Sequence, residues 1–337
     1  MYWLQNHWYR ITPLHLILYP ASLIFRALVA LRRELYLSGF LPRHQLLLPV
    51  VVVGNISVGG TGKTPLTLAL AEQLIERGWH PLILSRGYGR TANKPQQVSL
   101  PSTAAQVGDE PLLMARRNLC PVWVGADRVA AAHAALQACP QCDIVLCDDG
   151  LQHYRLQRDV EIAVVDGMRR YGNGLMLPAG PLREPVSRLR SVDAVVVNGG
   201  DAAGQEYPMN LGGEIFYNLL DPGQTATAAN FSKPTDDVHK GKVHAAAGIG
   251  NPQRYFQHLE SLGITFTPHI FPDHHAYRAA DLSFAECDAI LLTEKDAVKC
   301  AGFADARYWV LRVDAQIPPT LIDHLLRKID PHGLQTA

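Results

Sequence analysis

The segment Gly54-Asn-Ile-Ser-Val-Gly-Gly-Thr-Gly-Lys-Thr64 follows the β-branched run Val50 to Val53 and leads straight into a helical pattern. A strand, a glycine-rich loop and a helix N-terminus in that order make a phosphate cradle, because successive backbone N–H groups and the positive end of the helix dipole face phosphate oxygens. Ser57, Val58, Gly59, Gly60, Thr61, Gly62, Lys63 and Thr64 form the loop, with Lys63 placed to reach the β- and γ-phosphates and Thr64 to hold Mg²⁺. Ser57 stands where the generic pattern has its first glycine. A structural Gly-rich turn is the competing reading; strand, loop, lysine and helix in sequence count against it.

A nucleoside triphosphate site also needs a carboxylate to orient its metal. Ile144-Val-Leu-Cys-Asp148-Asp149-Gly150 ends an apolar strand in two acids, at the strand end where ligands bind in open α/β sheets. Asp148 and Asp149 are therefore candidate Mg²⁺ ligands, and a turn or helix cap is the other role open to them. Neighbours on extended backbone point apart, so one of the two serves the metal more directly, and the sequence leaves open which. The loop has the spacing of the partition and arsenical-pump ATPases, but Val58 stands where those carry a signature lysine. Guanine is read by an Asn-Lys-x-Asp segment; Val197-Asn-Gly-Gly-Asp201 lacks the lysine, and Thr293-Glu-Lys-Asp296 has the composition with the wrong spacing. ATP is the expected nucleotide.

The rest of the chain must position this loop. Short β-branched runs alternate with helical stretches from Leu46 onward, the pattern of a parallel sheet covered on both faces. Strands are predicted at Val50 to Val53, Pro81 to Ser85, Val122 to Val124, Ile144 to Cys147, Ile162 to Asp166 and Ala194 to Val197, with helices at Thr64 to Arg77 and Val129 to Ala138. Periodicity fades after Asn198, apart from a possible strand pair near Gly213 to Leu220 and Thr225 to Ala229. It returns with strands Val243 to Ala247, Ala289 to Leu292 and Arg307 to Val313, a helix at Pro252 to Leu262 and a closing helix after Pro319. The expected class is α/β: a P-loop NTPase domain at 46–212, a linker at 213–242 and a smaller α/β domain at 243–337, behind an apolar segment at 1–45.

That segment carries no charge from Ile11 to Phe25, and Arg26 ends the run short of the roughly 20 residues a spanning helix needs. It lacks the small-residue cleavage site of a signal peptide and is expected to stay on the protein. Tyr2, Trp3, Trp8, Tyr9 and Tyr19 surround it, Arg32 and Arg33 follow, and Glu34 is the sole acid before Gln45, a mixture suited to an anionic membrane interface. A core-packing hairpin broken at Pro20 is the alternative. Composition narrows the partners further. Lys plus Arg and Asp plus Glu both total 31 in 337 residues, so no whole-chain electrostatic grip on nucleic acid is expected. Cys139 and Cys142 are the closest pair among six cysteines and lack the further ligands of a zinc site.

Taken together, several blocks resemble the tetraacyldisaccharide 4′-kinases, the lipid A 4′-kinase family of Gram-negative bacteria. They are Val51 to Pro65, Ser85-Arg-Gly-Tyr-Gly-Arg90, Val107-Gly-Asp-Glu-Pro111, Val124-Gly-Ala-Asp-Arg128, Asp148-Asp-Gly-Leu-Gln-His153, Leu177-Pro-Ala-Gly-Pro-Leu-Arg-Glu-Pro185 and Phe271-Pro-Asp-His-His-Ala-Tyr277. The resemblance implies transfer of the γ-phosphate of ATP to the 4′-hydroxyl of a membrane-embedded tetraacyldisaccharide 1-phosphate, at the cytoplasmic face of the inner membrane. It makes Asp109 the acidic catalytic residue and His274 its partner, a dyad that takes the proton of the sugar hydroxyl. On residue type alone, Gly108-Asp-Glu-Pro111 reads as a turn, and Asp273, His274 and His275 are divided between a metal site and a capping or core role. Arg86, Arg90, Arg128 and Arg183 suit the lipid 1-phosphate or the transferring phosphoryl group, with solvated surface arginines as the plain alternative. Tyr88 suits stacking on a sugar ring, and Gln152 and His153 suit support of the acidic pair. The two domains are expected to close over ATP, leaving Asp109 and His274 apart in the empty chain. The rival readings are a GTP-driven switch or metallochaperone, with metal on Cys139, Cys142, His274 or His275, and a membrane-associated ATPase that docks a protein partner.

Overall fold

The structure, a computed structural model, describes residues 7–10, 12–90, 94–231 and 242–329. Tyr2, Trp3 and Ile11, part of the expected membrane-facing segment, lie outside the described residues. Helix α1 (Leu14–Leu37) runs on through Pro20 and past Arg26, where the sequence suggested a break and an end. Pro20 is exposed, so water can satisfy the carbonyl that its missing N–H leaves free. The apolar residues of α1 point the unusual way. Leu16, Ile17, Ile24, Leu28 and Leu31 are 57–80% exposed, while the inward face carries buried His15 and Ser22 with Phe25 and Val29 packed on the core.

Nine strands form the first sheet. In chain order these are β1 (Val50–Gly54), β2 (Pro81–Ser85), β3 (Gln96–Gln97), β4 (Val122–Val124), β5 (Ile144–Asp148), β6 (Val160–Asp166), β7 (Ala194–Asn198), β8 (Tyr207–Gly212) and, from much later in the chain, β15 (Asp314–Gln316). Their spatial order is β15-β8-β7-β6-β1-β5-β2-β4-β3, parallel except for the two edge strands. β1 is buried on both faces, which explains a run of valines where a half-exposed strand would alternate. Val51 and Val53 pack with Leu66, Leu70 and Leu74 of α2 (Lys63–Glu76). Val50 and Val52 pack on the other face with the alanines of an α-helix at Arg128–Ala138 and with Phe25 and Val29 of α1.

The second sheet has the order β10-β9-β14-β13-β11-β12. Its parallel centre consists of β11 (Lys242–Ala247), β12 (Thr267–Ile270), β13 (Cys287–Thr293) and β14 (Tyr308–Leu311). The stretch read as a linker supplies its antiparallel margin, β9 (Ile215–Asn218) and β10 (Thr225–Thr227). The chain leaves the first sheet at Gly212 and rejoins it at Asp314, and these two residues face each other in the β8–β15 ladder. The closing helix, Pro319–Ile329, then buries Leu321, Ile322, Leu325 and Leu326 in the core of the first sheet, although it follows the strands of the second.

Candidate active site

β1 lies between β5 and β6, so its loop opens beside the carboxyl ends of both. Gly62 caps α2 at φ 96°, a left-handed conformation that favours glycine, and any Cβ there would collide with the Asn198 amide. That amide is a strut: Asn198 Nδ2 donates to Thr61 O at 2.9 Å. Buried Asn55 donates to Thr61 Oγ1 at 3.2 Å, and Val58 N–H donates to Pro181 O at 2.8 Å. The loop is thus held on three sides with its lysine at the helix entrance.

The neighbours of the two acids distinguish them. Lys63 Nζ lies 3.5 Å and Arg183 Nη2 3.2 Å from Asp149 Oδ1. Burial works against ionising Asp149, but these two cations outweigh it and hold its carboxyl well below the usual range. Asp148 is fully buried; Thr67 Oγ1 donates to its Oδ1 at 3.4 Å, and its Oδ2 has no hydrogen-bond partner among the described residues. Burial, reinforced by Glu110 and Asp149, pushes the Asp148 carboxyl up to about 7. A buried carboxylate oxygen with no donor, on a residue hydrogen-bonded to Thr67 one turn along the helix whose first turn carries Thr64, has the chemistry of a hard-cation ligand, so these residues fit Mg²⁺.

Asp109 begins helix α3 (Asp109–Arg116) and is buried. His274 Nδ1 is 2.9 Å from its Oδ2, so the pair expected to be apart in the empty chain is already made. The second sheet carries Phe271–Tyr277 right up to α3, which is why no further closure is needed for this contact. The ring is fixed by a positive φ of 60° at His274, by Tyr88 at 5.3 Å between centroids and by Lys295 Nζ at 3.3 Å from Nε2. The Asp109 hydrogen bond raises the His274 pKa against burial and Lys295. Burial would raise Asp109, but the His274 bond and Lys295 hold it below the ordinary carboxylate value.

Glu110 and Lys295 received no role in the site from the sequence, though the segments that carry them stood out there. Lys295 Nζ donates to Glu110 Oε1 at 3.0 Å and Asp273 Oδ1 at 3.2 Å, joining both sheets across the site. Their signal was present in Gly108-Asp-Glu-Pro111 and Thr293-Glu-Lys-Asp296, but only the fold brings those segments together. His275 turns away, with Nε2 3.1 Å from Asp281. Cys139 and Cys142 are buried free thiols, and burial pushes Cys142 up to about 11.

The arginines separate into different roles. Arg183 donates to the Asn55 side chain and to Asp149. Arg86 and Tyr88 are exposed on the loop leading away from β2. Arg90 donates to the carbonyls of Lys94 at 3.1 Å and Val124 at 3.4 Å. Arg128 departs from the expected lipid contact: it is 3% exposed and donates to Asp148 O at 3.0 Å and Asp149 O at 3.1 Å, fixing the turn that aims both acids. Arg128→Ala leaves those carbonyls without a donor and should cost about 1–3 kcal/mol in urea unfolding, whereas Arg86→Ala should leave the transition unchanged. Gln152 Nε2 donates to Asn55 O at 2.9 Å, and half-buried His153 is pushed down to about 4 by loss of solvent and by Arg128 and Arg158.

Between the two sheets lies a cavity of about 460 Å³, lined by Gly60 to Pro65 on one side and by Ile249, Arg254, Tyr255, His258 and Lys295 on the other. That size suits a small-molecule ligand with apolar and charged ends. The sequence had placed no residue of the second sheet in a nucleotide site.

Comparison with known proteins bears on the whole of this arrangement. The family model for tetraacyldisaccharide-1-P 4′-kinase, LpxK, matches residues 14–330. The chain is 50% identical to a tetraacyldisaccharide 4′-kinase of Dechloromonas aromatica over 99% of each chain, and 47% identical to that of Methylobacillus flagellatus over 97% of this chain and 96% of the relative. A crystal structure of the apo form of LpxK from Aquifex aeolicus in complex with ATP superposes with a TM-score of 0.76 at 30% identity, covering 94% of this chain and 99% of the other. Because the match runs without interruption from α1 through the glycine-rich loop to the closing helix, the chain belongs to the tetraacyldisaccharide-1-P 4′-kinase family.

Proposed function

We propose that this chain transfers the γ-phosphate of ATP to the 4′-hydroxyl of a tetraacyldisaccharide 1-phosphate, the lipid A precursor, giving lipid IVA and ADP. The observation that carries the chemistry is the 2.9 Å pairing of buried Asp109 with half-buried His274, one residue from Glu110 in the wall of the loop cavity. The loop amides and Lys63 hold the phosphates. Asp109 accepts the hydroxyl proton as the 4′-oxygen bonds to the γ-phosphorus and the bond to the β,γ-bridging oxygen breaks; His274 orients that carboxylate and shares its proton. Thr64 and Asp148 would hold Mg²⁺, which when bound draws charge from the phosphate oxygens, and Asp149 keeps Lys63 in place. Arg183, with exposed Arg86 and Tyr88, faces the acceptor sugar and its phosphate. The GTP-driven switch has no support in the family match, which covers nearly the whole chain.

The outward apolar face of α1 supports docking at the cytoplasmic surface of the inner membrane, where ATP meets the lipid. Replacing Ile17 and Ile24, 75% and 64% exposed, together by Glu should move the protein from the membrane pellet to the soluble fraction without lowering its melting temperature. Continued pelleting would place the docking surface elsewhere. The function itself is tested by following labelled γ-phosphate from ATP into a tetraacyldisaccharide 1-phosphate in detergent micelles, with GTP in parallel. Labelled lipid from ATP is expected; nucleotide hydrolysis without labelled lipid overturns the kinase reading.

A further inference from the structure

The cavity contains a cation that neither the loop motif nor the dyad accounts for. Arg254 sits in the first turn of the Pro252–Ser261 helix, on the second sheet's side of the cleft, and reaches across to the first sheet. Its Nη1 donates to Asn198 O at 3.4 Å, and its guanidinium lies against Gly199, where an added Cβ would sit 2.8 Å from Nη2. Asn198 is the residue whose side chain holds Thr61 of the phosphate loop, so Arg254 is one residue removed from that loop. It lines the same cavity as Gly60, Gly62 and Lys63.

What Arg254 lacks is a counter-charge. Among the described residues no carboxylate pairs with it within 4.0 Å, in contrast to Arg117, Arg158, Arg170, Arg183 and Arg188. Asp166 is the acid whose field reaches it, and Asp166 Oδ1 is already taken by the amides of Met168 and Arg169. Burial lowers its pKa, the mark of a guanidinium drawn out of water without full compensation. One long bond to a neutral carbonyl does not offset that cost, whereas an anion in the cavity does.

We propose that Arg254 is a ligand for the phosphate chain of the nucleotide, supplied by the second sheet opposite Lys63, so that ATP is gripped from both sides of the cleft. The proposal rests on the ATP-dependent kinase reading. It makes nucleotide binding and the seating of the second sheet on the first a single event, since the residue that binds the anion also bridges the two.

Calorimetric titration of the full chain and of Arg254→Ala and Arg254→Lys with a non-hydrolysable ATP analogue, ADP and adenosine tests it. The expected result is about 10- to 100-fold weaker binding of the analogue and ADP to Arg254→Ala, a smaller loss in Arg254→Lys, and unchanged adenosine binding. Melting curves without nucleotide should match wild type; if Arg254→Ala does not fold, the lysine variant alone decides by the same phosphate-dependent loss. Unchanged affinity for the analogue overturns the assignment, as does an equal loss for adenosine. A variant that keeps nucleotide affinity but shows a raised KM for the lipid assigns Arg254 to the 1-phosphate and overturns it likewise. A wild-type chain that binds no ATP analogue overturns the kinase reading and this proposal together, an outcome distinct from failure of the variant alone.

Discussion

Asp109→Asn lowers the rate of lipid phosphorylation about 10²- to 10⁴-fold while ATP affinity stays near wild type, the expected range for loss of a general base. The amide has the shape of the carboxylate and can still accept from His274 Nδ1, 2.9 Å away, so the ring stays where it is. It has no basic oxygen to take the hydroxyl proton. Single-turnover transfer measured beside equilibrium ATP binding separates the two effects; an intact rate with lost ATP affinity would make Asp109 a nucleotide ligand. The pair also sets a pH dependence. His274 is raised above 6.5 by its bond to Asp109, so protonated imidazolium persists above the usual range and keeps the carboxylate a poor acceptor. The rate should therefore rise with pH through a midpoint above 6.5, and His274→Asn should remove that inflection. Stability moves the other way. The contribution of His274 is complete below 6.5 and is lost as pH rises through its raised value, while that of Asp109 is present above 3.8 and is lost as pH falls through its lowered value.

Lys63→Ala lowers phosphoryl transfer by about 10²- to 10³-fold or more, with the fold intact. Lys63 lines the cavity, and its ion pair is with Asp149 at 3.5 Å, so no core contact is lost. Removing it strips the phosphates of the loop's own cation and leaves Asp149 with Arg183 as its remaining ion-pair partner among the described residues. It also removes a charge that lowers the Asp148 carboxyl, so that group moves further towards its protonated, non-ligating form. Label transfer read beside a melting curve checks both parts; turnover like wild type would remove the phosphate-loop assignment.

Much of this architecture was legible because the central strands are buried on both faces and so appear as β-branched runs. The loop was legible because its chemistry is local. Less visible were β8 and β12, short strands whose pattern Pro208 and Pro268 blur, and β15, three residues long and paired with β8 some hundred positions earlier in the chain. Asp148 and Asp149 could not be separated in advance because Lys63, Arg183 and Thr67, which set their environments, meet them only in the folded chain. Arg128 illustrates the converse: a motif marked the residue, but its burial against two carbonyls is a fact of packing that spacing does not encode.

The path of the chain at Gly212 and Asp314 constrains how the cleft can open. The second sheet is an insertion whose outgoing and returning strands leave from neighbouring rungs of one ladder, β8 beside β15, with Gly213 pressed against the Arg312 carbonyl. A body held by two adjacent tethers can swing about the line joining them but resists sliding and twisting. Such tethering favours a rotation of the second sheet that would move His274, Lys295 and Arg254 as one group relative to the phosphate loop.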